Sequence, residues 1–182
     1  MYFAASALVF LLLSAPASRA VTKVLNALRQ LQTGQGAASF QFSEQEINEY
    51  LVYSLKTAPR PGIQSVHVKF FPADYVSTYT MVDFDAIERW KPGTIPVLMR
   101  PVLSGSRAIW VDVRFHVRDG KTTFTVEKAY FGKLRLPAIL VEKMIAVVGA
   151  RQPEKYDTSK PVPLPFGLRR MWTGPQSIGV ER

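Results

Sequence analysis

The residues of this chain that could do chemistry are few: a pair of carboxylates, two histidines and a scatter of basic side chains. Asp112 and Glu127 flank an Asp119-Gly120 dipeptide. A two-residue type I′ turn there sets them face to face across a hairpin. Such a pair can hold a cation or share acid–base work. Arg114 lies two residues from Asp112, however, and the favoured reading is a wet sheet face on which opposite charges offset one another. His67 falls near Tyr79 if the runs on either side of Pro72-Ala73-Asp74 pair, an arrangement that could relay a proton. His116 points outward near the tip of the later hairpin. No nucleophile-elbow motif accompanies either histidine. Both are therefore read as structural, no catalytic residue is assigned, and the protein is expected not to be an enzyme.

Composition narrows the classes further. The 182 residues contain no cysteine and only two histidines. That excludes disulfides, thiolate zinc sites, iron–sulfur clusters and metal centres built on three histidines, so no metal site is expected. Neither a G-x-G-x-x-G nor a G-x-x-x-x-G-K-[ST] phosphate loop occurs, and no cofactor is expected. The formal charge is +9, spread along the chain with no basic run longer than Arg169-Arg170. Simple solubility accounts for any single one of these charges; as a set they suit an anionic membrane surface, and with the export signal described below nucleic acid is not expected as a partner.

Residues 1–20 resemble a secretory signal. Tyr2 to Leu13 is apolar and uncharged but too short to span a bilayer, and small residues follow. Cleavage fits after Ala17 or after Ala20, with Ala20 preferred; an uncleaved anchor is the rival. The expected location is exported, periplasmic or extracellular envelope.

The elements that must position these residues follow from periodicity. Residues 21–182 read as a single α+β domain. Val21, Val24, Leu25, Leu28 and Leu31 make one face of an amphipathic helix. Ser43 and Glu46 form a capping box, with Phe42 and Ile47 as its hydrophobic staple. The helix they open buries Ile47, Tyr50, Leu51 and Leu55. From Ile63 the period becomes two. Val66, Val68 and Phe70 share one strand face, and Val76, Thr78, Thr80 and Val82 share one face of the returning strand. A helical turn, Asp85 to Trp90, and a proline-broken connection to Ser104 follow. In the second hairpin Val117 faces Thr122, Phe115 faces Phe124, Val113 faces Val126, Val111 faces Lys128 and Ile109 faces Tyr130. These form the inner face. His116/Thr123, Arg114/Thr125, Asp112/Glu127 and Trp110/Ala129 form the outer one. Lys133 to Leu136 is a short strand with Leu134 and Leu136 inward. Pro137 opens a helix, Ala138 to Val148, that is apolar nearly all round. Residues 151–182 read as a proline-rich arm lying on the body, with Ser177 to Val180 as one last edge strand. The fold class is α+β, a twisted antiparallel sheet with helices packed on one face.

Three stretches carry a resemblance. Phe42-Ser43-Glu44-Gln45-Glu46-Ile47-Asn48, Val82-Asp83-Phe84-Asp85 and Gly132-Lys133-Leu134-Arg135-Leu136-Pro137 are similar to elements of exported bacterial proteins of the YpmS and LmeA type, over residues 40–150. The resemblance implies a curved sheet wrapping long helices, an apolar groove between them, and a role in holding or moving envelope lipids. It carries over no catalytic residue. On the residues themselves, the 138–148 helix has more apolar surface than one packing face needs. It closes as plain core against the face of Ile47, Tyr50, Leu51 and Leu55 or that of Val21, Val24, Leu25 and Leu28, or it leaves an acyl-sized groove. Leu140, Met144, Val147, Tyr50 and Leu51 would line that groove, and Lys133, Arg135 and Lys143 would meet an anionic headgroup. The expected function is an envelope protein binding a lipid or other hydrophobic ligand. The alternative is a non-enzymatic module docking a partner protein of the envelope.

Overall fold

The computed structural model describes residues 17–36, 38–95, 97, 100–101, 103–139, 141 and 160–182. In chain order the elements are α1 (Arg19–Thr33), β1 (Ser39–Ser43), α2 (Glu44–Thr57), β2 (Ile63–Phe71), β3 (Tyr75–Asp83), α3 (Phe84–Trp90), β4 (Ser106–Arg118), β5 (Lys121–Phe131), β6 (Leu134–Arg135), β7 (Val162–Pro163), β8 (Arg170–Gly174) and β9 (Ser177–Glu181). The fold is α+β. A twisted antiparallel sheet runs β2-β3-β4-β5-β6, with β7 paired to the start of β5, and a second sheet runs β1-β9-β8.

Local chemistry accounts for most boundaries. α1 begins two residues earlier than periodicity predicts, because the Ser18 hydroxyl accepts from the Val21 N–H at 3.2 Å and caps it there. α2 opens on the expected capping box: Ser43 Oγ accepts from the Glu46 N–H, and the Glu46 carboxylate accepts from the Ser43 N–H. Asp83 caps α3 through the Ala86 N–H. Asp119 and Gly120 both take positive φ, 51° and 70°, as a type I′ turn requires.

The second hairpin departs from simple alternation. From Val117/Thr122 to Val113/Val126 the register is the expected one, and then it slips by one residue: Asp112 faces Lys128, Val111 faces Ala129, Trp110 faces Tyr130 and Ile109 faces Phe131. Glu127 is the extra residue of a β-bulge. Asp112 and Glu127 are therefore not a facing pair, and the inside–outside assignment of residues 128–131 inverts. Ala129 turns inward, where it is buried, while Lys128 and Tyr130 turn outward. A bulge changes the parity of one strand without changing its partner. Phe124 also departs from expectation. It faces Phe115 across the ladder, yet Phe115 is 2% exposed and Phe124 is 41% exposed. Leu134, expected inward, is exposed on β6.

Two hydrophobic clusters form. One joins Val24, Ala27 and Leu31 of α1 to Phe42, Leu164, Leu168 and Val180, with Tyr50 and Val117 packed against it. The other sets Val126 and Ala129 against Val141, with Leu136 and Ala138 beside them. The C-terminal stretch enters the first cluster as structure. β9 is the central strand of its sheet rather than an edge, because β1 pairs on one side of it and β8 on the other. Gly179 of β9 has no Cβ because the Trp172 ring lies on that spot. The remainder of the 138–148 helix and the first part of the 151–182 arm lie outside the described residues.

β2 is an edge strand, and side chains together with one backbone N–H satisfy it. Asn48 of α2 donates to the Val68 carbonyl and accepts from the Val68 N–H, both at 2.8 Å, and Glu44 accepts from the Phe70 N–H at 2.9 Å. The Gln176 N–H donates to the Phe70 carbonyl, and Thr173 Oγ1 to the Phe71 carbonyl. Denaturant titration should find Asn48→Ala destabilised by about 1–3 kcal/mol, since it strands both backbone groups of Val68. Phe115→Ala should lose about 3–5 kcal/mol. Phe124→Ala should lose clearly less, and His116→Ala should stay within about 0.5 kcal/mol of the parent.

Candidate functional site

The bulge gathers the chemistry-bearing residues on the outer face of the larger sheet. Cross-strand pairing places His67, Tyr79, Trp110, Tyr130 and Arg135 in one row over β2, β3, β4, β5 and β6. His67 stands opposite Tyr79, the expected pairing. The next row is Lys69, Ser77, Asp112 and Lys128, and the third begins Phe71, Tyr75, Arg114 and Thr125.

Asp112 is not wet. It is 6% exposed beneath this face. The Trp110 indole N–H lies 2.7 Å from both Asp112 Oδ1 and Ser77 Oγ, and the Tyr75 hydroxyl donates to the Asp112 carboxylate. Burial, reinforced by that hydrogen bond and by the Asp112 charge, pushes the Tyr75 phenol from its ordinary 10.0 up to about 12. Arg114 serves the neighbouring positions. It pairs with the bulged Glu127 at 3.0 Å, donates to the Ala73 carbonyl and stacks over the Tyr75 ring. Both carboxylates are thus engaged by protein donors, which is a structural use of charge.

The second feature is a groove of about 1000 Å³ between the start of α1, α2 and β2. Two neighbouring ridges of α2 form its wall, 44-48-52-56 and 45-49-53-57, the i, i+4 rows of one helix face. Val21 of α1 and His67 of β2 complete the lining. The lining is mostly apolar, and Val52 is 49% exposed within it. Polar groups at the rim are fixed. Ser18 Oγ donates to Glu49 at 2.6 Å, and hydrogen bonds from Ser18 and Gln45 hold the Glu49 carboxyl below the usual range. Outside the groove lining, burial raises the Glu46 carboxyl, but Lys23 at 2.7 Å and the Ser43 N–H outweigh it, so Glu46 sits low.

The predicted groove residues are not brought together. Leu140, Lys143, Met144 and Val147 lie outside the described residues. Tyr50 turns its side chain to the α1 cluster, and Leu51, half-buried, is not part of the groove wall. Lys133 and Arg135 are exposed at the β6 end of the sheet, four strand spacings from β2, or roughly 19 Å. Ile47, Tyr50, Leu51 and Leu55, expected to be buried, are half-buried, and the groove lies on another face of α2. The available signal was Val52-Tyr53, an apolar pair on the side opposite the core.

Among the described residues no cluster of His, Asp or Glu could hold a metal ion, and no helix is long and apolar enough to cross a membrane. No protein-family model matches the chain, and comparison with proteins of curated function gives no match.

The Tyr75–Asp112 contact predicts a pH dependence. A phenol whose pKa is raised on folding stabilises the protein fully below pH 10, and that contribution is lost as pH rises through about 12. Ultraviolet titration of tyrosinate should resolve one late-titrating group. Asp112→Asn should bring it back toward the other tyrosines; an unchanged profile would refute the contact.

Proposed function

We propose that this protein is a non-enzymatic, exported envelope protein that binds a lipid-like hydrophobic ligand in the groove between α1, α2 and β2. The observation that carries this reading is the groove itself. A space of about 1000 Å³ with mostly apolar walls is at the upper end of the range for small-ligand sites and suits an acyl chain. An exposed valine on a helix held in place by half-buried hydrogen bonds gives that chain a preformed surface. Lys56 and His67 at the same groove suit an anionic headgroup, since the groove's two carboxylates, Glu44 and Glu49, are engaged by the Phe70 N–H and the Ser18 hydroxyl. The resemblance to exported lipid-handling proteins agrees in kind, although the groove proposed here uses residues other than those it implied.

Export is part of the proposal, and the α1 cap bears on where the leader would be cut. Cleavage after Ala20 would remove Ser18 and uncap α1, a loss of about 1 kcal/mol. Cleavage after Ala17 keeps both the cap and the Ser18–Glu49 hydrogen bond. We therefore place the cut after Ala17. Mass spectrometry of the exported protein should find Ser18 at its N-terminus; a chain starting at Val21 would contradict this.

Lipids extracted from the purified protein should include an acyl species. After delipidation, fluorescent fatty acid should bind again, and Val52→Trp, which fills the groove from an exposed position, should weaken that binding about ten-fold or more. Leu134→Trp, at the opposite edge of the sheet, should leave it unchanged. A lipid-free protein with no affinity for fatty acid, or equal effects of the two substitutions, would overturn the reading.

A further inference from the structure

The outer face of the larger sheet has no role in the fold that explains its surface. Sheet faces that only meet water carry small polar and charged residues. This one presents Trp110 at 47% exposure, Tyr79 at 40%, and an exposed Phe71. Their arrangement is ordered. His67, Tyr79, Trp110 and Tyr130 occupy one register row across four strands, and the Trp110 and Tyr130 ring centres are 6.4 Å apart. The indole N–H is held by Ser77 and Asp112, so the ring is locked before any ligand arrives. A locked, half-exposed indole is a stacking surface whose ordering entropy is already spent.

The charges around the row are one-sided. Lys69 and Lys128 flank it in the next register row, and Arg135 ends it on β6. None of the three has an ion-pair partner among the described residues. The two nearby carboxylates are already taken, Asp112 by Trp110 and Tyr75, Glu127 by Arg114. The face is therefore aromatic down its middle and cationic at its flanks.

We propose that this face binds anionic sugar residues, with pyranose rings stacked on Tyr79 and Trp110 and their carboxylate or phosphate substituents paired with Lys69, Lys128 and Arg135. A pyranose has a C–H face that lies on an aromatic ring and a rim of hydroxyls that needs polar neighbours. Ser77, His67 and the lysines supply that rim. Nucleobases would also stack, but a nucleic acid carries a charge at every nucleotide, and among the described residues only Lys69, Lys128 and Arg135 stand unpaired on or beside this row. His67 belongs both to the row and to the groove wall. Resting on the groove reading, this makes the natural ligand an anionic glycolipid, its chain in the groove and its sugars on the sheet.

Calorimetry on the whole protein at low salt tests this with four probes: trigalacturonate, maltotriose, palmitate and oligothymidylate. Trigalacturonate should bind, and more tightly than neutral maltotriose. Tyr79→Ala and Trp110→Ala should each weaken it about ten-fold, as loss of a stacking ring does, and Lys128→Gln should reduce both its affinity and its salt dependence. Tyr79→Ala, a substitution at an exposed ring, guards against the chance that Trp110→Ala disturbs Asp112. Palmitate binding should be unchanged in Tyr79→Ala. Absence of trigalacturonate binding, indifference to both ring substitutions, or tighter binding of oligothymidylate would overturn the sugar platform. Trigalacturonate binding without palmitate binding would sustain the platform and overturn the glycolipid assignment together with the groove reading.

Discussion

The structure depends on how the open edge of β2 is satisfied. An edge strand presents backbone donors and acceptors that must find partners, and here most of them find side chains. Asn48 supplies an amide that copies a peptide group, donating to and accepting from Val68, while Glu44 takes the Phe70 N–H. Hydrogen bonds have direction, so this contact fixes the orientation of α2 as apolar packing alone would not. One face of α2 then meets α1 and the small sheet, and the opposite face is left standing beside His67. The groove is a consequence of that geometry. Gln176 and Thr173 extend the same edge contact to the β8–β9 hairpin, which ties residues 160–182 to the strand pair β2–β3.

A second constraint is the single extra residue at Glu127. Side chains on a strand alternate, so one inserted residue exchanges the faces of everything beyond it. Without the bulge, Lys128 and Tyr130 would point into the apolar side and Ala129 would face solvent. With it, Ala129 packs under Val141, while Tyr130 joins Trp110 on the outer face. The aromatic row is therefore created by an irregularity in the ladder, and Glu127 is stabilised there by Arg114.

Burial of Asp112 completes the outer face. An isolated carboxylate in that position would be strongly unfavourable. Two neighbours offset the penalty, the Trp110 indole and the Tyr75 phenol, and the Ser77 hydroxyl accepts from the same indole N–H. The same bonds hold the indole in place, so one polar network both satisfies the acid and sets the surface above it.

The amino-acid sequence by itself determined the local structure. Ser43 and Glu46 specify the start of α2, Asp119-Gly120 specifies the turn and its register as far as Val126, and alternation specifies the faces of β2 and β3. These signals act over a few residues, where backbone sterics and short-range hydrogen bonds decide. The bulge was foreshadowed only by Lys128 falling on an otherwise apolar face. The pairing of Asn48 with Val68, the burial of Asp112 and the place of β9 between β1 and β8 were decided by the tertiary structure alone. Each joins residues far apart in the chain, and whether a polar side chain meets water or a buried partner depends on what the fold sets against it. The same reason separates the two halves of the groove read from sequence. Periodicity shows that Tyr50, Leu51 and the 138–148 helix carry apolar faces. Only the sheet order places α2 at one edge and Lys133 and Arg135 at the other.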